Sequence, residues 1–244
     1  MKQEDITKAA ISNYSDSTPW PEQDVWHSYT FSAVKRIVEQ WLADYARKDM
    51  KILNAGSGGT EYDSCGKMIH LDIIEKYICH FEEYLVGSVE NINLPDSSID
   101  GIVCVGSVLN YADAQRTISE FSRILKPSGF LILEFERSDS AEFLWTTQHG
   151  KYIFPKEYSY NQQTHLLWMY SEKHIRQLLN HYGLHIRKCK RVHSVSSLLY
   201  RFGMSEETAA PYSKLDSLVQ LLSYPFAHNV MLLGTKEVLA KRND

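Results

Sequence analysis

The chain has 244 residues, of which 43% are hydrophobic and 23% charged. That is enough to build one sizeable core without disulfides or a metal. A formal net charge of −4 argues against a dedicated nucleic-acid binder, which needs a surplus of Lys and Arg along the phosphate backbone. Cys65, Cys79, Cys104 and Cys189 are scattered without a CxxC pair, so neither a zinc site nor a disulfide framework is expected. The polar start Met1-Lys2-Gln3-Glu4-Asp5 and the lack of any run of about twenty apolar residues predict neither a signal peptide nor a membrane span, hence a cytoplasmic protein.

In chain order, residues 1–25 are polar and interrupted by Pro19-Trp20-Pro21, which predicts a loop or loose arm. Phe31, Val34, Ile37, Val38, Trp41, Leu42 and Tyr45 recur mostly three and four apart, one face of an amphipathic helix. A strand follows at 51–55, then a glycine-rich turn, Gly56-Ser57-Gly58-Gly59, and a second strand at 68–72 ending in Asp72. A helix is expected from Ile73 to about Glu82 and a short strand at 84–87. The unbroken apolar run around Ile102-Val103-Cys104-Val105 predicts a strand buried on both faces. Ile118, Phe121, Ile124 and Leu125 mark a helix stopped by Pro127-Ser128-Gly129, and a fifth strand spans 130–135.

Residues 136–169 are aromatic-rich and irregular. A clean helix then runs from an N-cap at Ser171 to a stop at Gly183, followed by a strand at 184–192. Two short helical patterns around Pro211 occupy 194–223, and a last strand covers 229–235. Strand–helix alternation through most of the chain predicts a parallel α/β sheet.

A strand that ends in glycines lets backbone N–H groups approach a ligand, and a carboxylate at the tip of the next strand can accept from both hydroxyls of a ribose. The turn at 56–59 and Asp72 therefore point to a nucleoside-containing cofactor. NAD shares this arrangement, but Glu61 stands where the third glycine of the dinucleotide fingerprint is expected.

Four further segments follow the turn in order: Gly87-Ser88-Val89-Glu90, Leu94-Pro95-Asp96-Ser97-Ser98-Ile99-Asp100, Val108-Leu109-Asn110-Tyr111, and Arg123-Ile124-Leu125-Lys126-Pro127-Ser128-Gly129-Phe130. In this ordered set the sequence resembles the class I S-adenosylmethionine-dependent methyltransferases, small-molecule branch, over about residues 50–136.

The resemblance implies a Rossmann-like, seven-stranded, mostly parallel sheet with helices on both faces, helical and loop lid additions, and one antiparallel strand near an edge. Residues 1–50 would form an N-terminal arm and helix contributing to the lid. Residues 51–244 would form the methyltransferase domain, with an aromatic insert at 136–170 and a helical excursion at 194–223.

It implies S-adenosyl-L-methionine as cofactor. Asn54, Ala55, Gly56, Ser57 and Gly58 would lie at its methionine end, Asp72 on the ribose, and Ile73, Ser88 and Val89 around the adenine. Val105 and Gly106 would flank the methionine portion. Asn54 stands where the family has a carboxylate, Asn110-Tyr111 where it has two histidines, and Ser128, expected to be neutral, where it has a glycine. No catalytic residue is singled out, because positioning alone can drive methyl transfer.

The aromatic segments 19–31 and 143–170 are expected to set specificity and to close over bound cofactor. Trp26, His27, Tyr29, Tyr111 and His149 are the candidates for touching a small-molecule acceptor, methylated at oxygen or nitrogen. The alternatives are an NAD-dependent oxidoreductase and a non-catalytic methyltransferase-like binding module. Neither a nucleic-acid nor a membrane partner is expected, and the oligomeric state is left open.

Overall fold

A computed structural model of the chain describes residues 2–15, 24–160, 163–219 and 226–238. Seven strands share one sheet: β1 (Lys51–Ala55), β2 (Lys67–Asp72), β3 (Tyr84–Val86), β4 (Ile99–Cys104), β5 (Leu125–Glu136), β8 (Leu184–Val192) and β9 (Asn229–Lys236). A separate hairpin pairs β6 (Ile153–Tyr160) with β7 (Gln163–Tyr170). The sheet order is β3-β2-β1-β4-β5-β9-β8, and β9 alone runs against its neighbours. This is the expected Rossmann-like sheet, with its antiparallel strand second from one edge.

Alternate residues of the strands feed two cores because both faces of the sheet are covered. On one side Leu53 packs with Ile118 and Phe121 of α3 (Ala114–Ile124) and with Ile175 and Leu179 of α4 (Glu172–His181). On the other, Ile52 packs with Val34, Val38, Trp41 and Leu42 of α2 (Val25–Tyr45). Each such large apolar side chain contributes roughly 1.5–3 kcal/mol by leaving water. Ser171 caps α4 as expected, its side chain accepting from the His174 N–H.

Three expectations need correction. Residues 3–15 of the predicted arm form a helix, α1 (Gln3–Ser15). Its buried apolar positions are only Ile6 and Ala10, too sparse a stripe to read in the sequence. Long-range bonds hold it instead: Asn13 Nδ2 donates to the Thr164 carbonyl, Gln3 Nε2 donates to the Tyr111 carbonyl, and Gln3 Oε1 accepts from Trp168 Nε1. Of the helix expected at 73–82, only a 3-10 turn at Glu75–Tyr77 exists. Phe81 leaves the helical path to stack on His70, ring centroids 3.5 Å apart.

The segment expected to be irregular contains the β6–β7 hairpin. His165, Leu167 and Met169 of β7 are buried in strand alternation, but the intervening Leu166 and Trp168 are also apolar and hide the period. In the 194–223 excursion, α5 (Ser194–Arg201) and α6 (Glu206–Ala209) precede a 3-10 segment at Ala210–Leu218. Residues 220–223, and Trp20 of the 19–31 lid, lie outside the described residues. No helix among the described residues is long and apolar enough to cross a membrane.

Candidate active site

The parallel strands end on one edge of the sheet, where a cavity of about 290 Å³ opens. Its first half is made mostly of backbone. The turn after β1 is stitched to β2 by the Gly56 and Ser57 N–H groups, which both donate to the Leu71 carbonyl at 2.8 and 2.9 Å. Gly56 sits at φ +71°, and a Cβ there would lie 2.3 Å from a Val108 methyl. Only glycine lets the chain pass.

Asp72 is buried at the tip of β2. Oδ2 accepts from the Gly58 N–H at 2.8 Å and Oδ1 from the Ile74 N–H at 2.9 Å. Burial raises its carboxyl pKa against the pull of these donors. Each oxygen keeps acceptor capacity for a ligand hydroxyl.

Gly56, Ser57, Gly58, Asp72, Ile73, Ser88, Val89, Val105 and Gly106 all line the cavity. Asn54 and Ala55 do not. Asn54 lies under the turn, its Nδ2 donating to the Thr60 carbonyl at 2.8 Å and to Ser57 Oγ at 3.3 Å. A carboxylate could not donate there, which gives a structural reason for the amide at this position. Ser57 Oγ also meets His70 Nδ1 at 2.8 Å, and burial lowers the His70 pKa to about 4, so its ring is neutral. A carboxylate with spare lone pairs beside the apolar Ile73 and Val89 suits a ribose and its base. On that donor set the residues present fit S-adenosylmethionine.

The second half of the cavity is made of side chains. Trp26, His27 and Tyr111 reach it, as do Tyr14, Glu136, Glu142, Lys156, Tyr158, Tyr200, His228 and Asn229. Tyr29 and His149 are not in its wall, and His149 lies exposed in the turn after Trp145.

His228 stands between two carboxylates, Nε2 3.5 Å from Glu136 Oε2 and Nδ1 3.4 Å from Glu142 Oε2. Burial alone would lower the imidazole pKa, but the two carboxylates outweigh it and raise it to about 9. Burial alone would raise both carboxyls, and His228 and Lys156 hold them well below the usual carboxylate range instead. Lys156 closes the network on Glu142 Oε1.

The wall thus carries two cations balanced by two anions, and none of the four is a free base near neutral pH. Tyr111 is no base either: burial and its hydroxyl neighbours raise it far above the phenol range, and its hydroxyl meets Tyr14 at 3.0 Å and His165 Nδ1 at 3.2 Å. Asn110 clamps the end of β5 to β7 through the Glu136 backbone and the Trp168 carbonyl.

Glu134 links the halves. Fully buried, it accepts from the Gly106 and Ser107 N–H groups through Oε2, at 2.8 and 2.7 Å, and from Asn229 Nδ2 through Oε1 at 2.6 Å.

No curated protein matches the sequence. Residues 54–133 match the model of a methyltransferase domain family. Among solved structures, the chain is similar to 1,6-didemethyltoxoflavin-N1-methyltransferase of Burkholderia thailandensis, solved with its substrate and S-adenosylhomocysteine: 13% identity, 98% and 92% of the two chains covered, TM-score 0.62. A putative methyltransferase of Haloferax volcanii, in complex with a methyltransferase activator, aligns over 97% and 100% at 13% identity and TM-score 0.59. The [4+2]-cyclase SpnF aligns over 85% and 82% at 14% identity and TM-score 0.56. At such identities these likenesses speak for the fold. Residues 54–133 thus carry a methyltransferase domain, spanning the glycine turn, Asp72 and β4, and the chain as a whole has the fold of S-adenosylmethionine-dependent methyltransferases.

Proposed function

We propose that the chain transfers the methyl group of S-adenosylmethionine to an oxygen or nitrogen of a small molecule, in the cytoplasm. One observation carries the acceptor class. The second half of the cavity lies under α1, the start of α2 and the β6–β7 hairpin, and its wall is aromatic and charge-balanced rather than basic. A phosphate backbone would find Lys156 and His228 already engaged by Glu142 and Glu136. The Burkholderia relative, with 1,6-didemethyltoxoflavin bound, supports the same class.

In this assignment Asp72 holds the ribose hydroxyls, and Ile73, Ser88 and Val89 surround the adenine. Gly56–Gly58 with Val105 and Gly106 flank the methionine portion. The cofactor supplies a methyl on a cationic sulfur, ready for in-line attack. The chain contributes by aligning the acceptor and excluding water. Glu134 fixes the loop after β4 against β9, so both halves keep a constant separation.

Trp26, His27 and Tyr111 are the acceptor contacts. Residues 1–50 contribute to the lid through α1 and the start of α2, specificity resides in 19–31 and 143–170, and 136–170 and 194–223 are the additions to the domain at 51–244. A methyl-tritium transfer screen on cell extract, fractionated into metabolites, protein and nucleic acid, tests the acceptor class. Label is expected in the metabolite fraction, and label chiefly in protein or nucleic acid would refute it.

A further inference from the structure

Asn229, at the first position of β9, is 2% exposed and lines the cavity. Its amide orientation is fixed because Nδ2 donates to a carboxylate oxygen of Glu134, which leaves Oδ1 as the other end. That oxygen has no hydrogen-bond partner. A buried acceptor without a donor is a site waiting for one.

Asn229 pairs across the sheet with Glu136, so both side chains stand on the same face. Nearby, Glu142 Oε2 faces the charge of His228 Nδ1 at 3.4 Å. The two cations, Lys156 and His228, are turned toward Glu142 and Glu136. Asn229 Oδ1 is therefore an unpartnered acceptor on the face that carries the Glu136 carboxylate. A hydroxyl would bring one hydrogen and further lone pairs, whereas an amine or ring N–H brings hydrogens with few or no lone pairs.

The Glu134 carboxylate stands between the Asn229 side chain and the Gly106 N–H of the other half, and the backbones of the two strands lie farther apart. β9 lies two strands beyond β4, roughly 10 Å at the usual strand spacing.

Building on the small-molecule assignment above, we infer that the acceptor is a planar, nitrogen-bearing molecule whose N–H groups are received by Asn229 Oδ1 and the Glu136 carboxylate. The flanking rings of Trp26, Tyr111 and Tyr158 would hold its faces. A polar site of this kind discriminates sharply, because an analogue lacking the donor leaves the buried oxygen unpaired.

Calorimetry on the full chain saturated with S-adenosylhomocysteine tests this with three probes of similar shape: 2-aminobenzimidazole, 2-naphthol and benzofuran. Binding is expected to weaken in that order, by at least about tenfold from the first to the second. In Asn229→Ala the ratio between the first two should collapse toward one. Because it is a ratio within one protein, partial loss of fold does not imitate the effect, and the unmutated chain gives the order by itself. Equal or tighter binding of 2-naphthol or benzofuran, or no binding by any probe, overturns the inference. The small-molecule assignment is judged separately, by the fraction that takes up the tritium label.

Discussion

At one end of the cavity, Gly56, Ser57, Gly58 and Asp72 act through backbone N–H groups and one carboxylate, all within seventeen residues of sequence. At the other end, Trp26, Tyr111, Glu136, Glu142, Lys156, His228 and Asn229 come from six separate parts of the chain and act through side chains. The first kind of site tolerates few backbone changes but is nearly indifferent to side-chain identity outside its glycines and its acid. The second is the reverse. On the proposed assignment, such a division would let one cofactor scaffold serve many acceptors by changing side chains alone.

The comparison can be broken most directly at Gly56. Gly56→Val adds a side chain at φ +71° where Val108 already stands, and strain plus overpacking should cost about 3 kcal/mol of stability. Thermal unfolding would show it, and an unchanged melting temperature would mean the turn is looser than described. Asp72→Ala leaves the fold in place and should weaken S-adenosylhomocysteine binding by about 1.5–3 kcal/mol, through loss of charged hydrogen bonds. Calorimetry measures this. An effect equally large from His228→Gln would erase the distinction between the two ends.

The side-chain end should instead reveal itself in pH dependence. His228 has its pKa raised to about 9 in the folded chain. Its contribution is thus complete below the unfolded value near 6.5 and is lost as pH rises toward 9, on the order of 2 kcal/mol. His70 and His193 are shifted the other way, to about 4 and about 3, chiefly by burial. Their neutral burial costs stability as pH falls below about 6.5. Denaturant unfolding across pH 5–10 should peak near neutrality, and His228→Gln should flatten the alkaline limb only.

The smallest effect lies outside both ends. Ser128, expected to be neutral, adopts φ +66° in the turn before the core of β5. Ser128→Gly should therefore stabilise by about 1 kcal/mol and leave ligand binding unchanged.

The same division decides what could be read from sequence. The glycine turn, Asp72 and the buried run of β4 are local patterns whose spacing carries their geometry, so the sheet and the backbone of this end of the cavity were legible in them. α1 was not, because Ile6 and Ala10 alone make no stripe and its fixings are distant bonds to Tyr111, Thr164 and Trp168. His228 and Asn229 were missed for a different reason. The last strand, β9, is antiparallel, and an antiparallel strand delivers its first residues, not its last, to the edge where the parallel strands end. That rule would have drawn attention to residues 227–230. It would not have supplied Glu142 or Lys156, which reach His228 from a 3-10 turn and a hairpin with no local signature.

A crystal structure of the chain with S-adenosylhomocysteine tests the central claim most directly. Ribose hydroxyls are expected on Asp72, adenine between Ile73 and Val89, and the sulfur facing an open space bounded by Tyr111, His228 and Asn229. Adenosine lodged against Glu136 and His228, with Asp72 untouched, would contradict it.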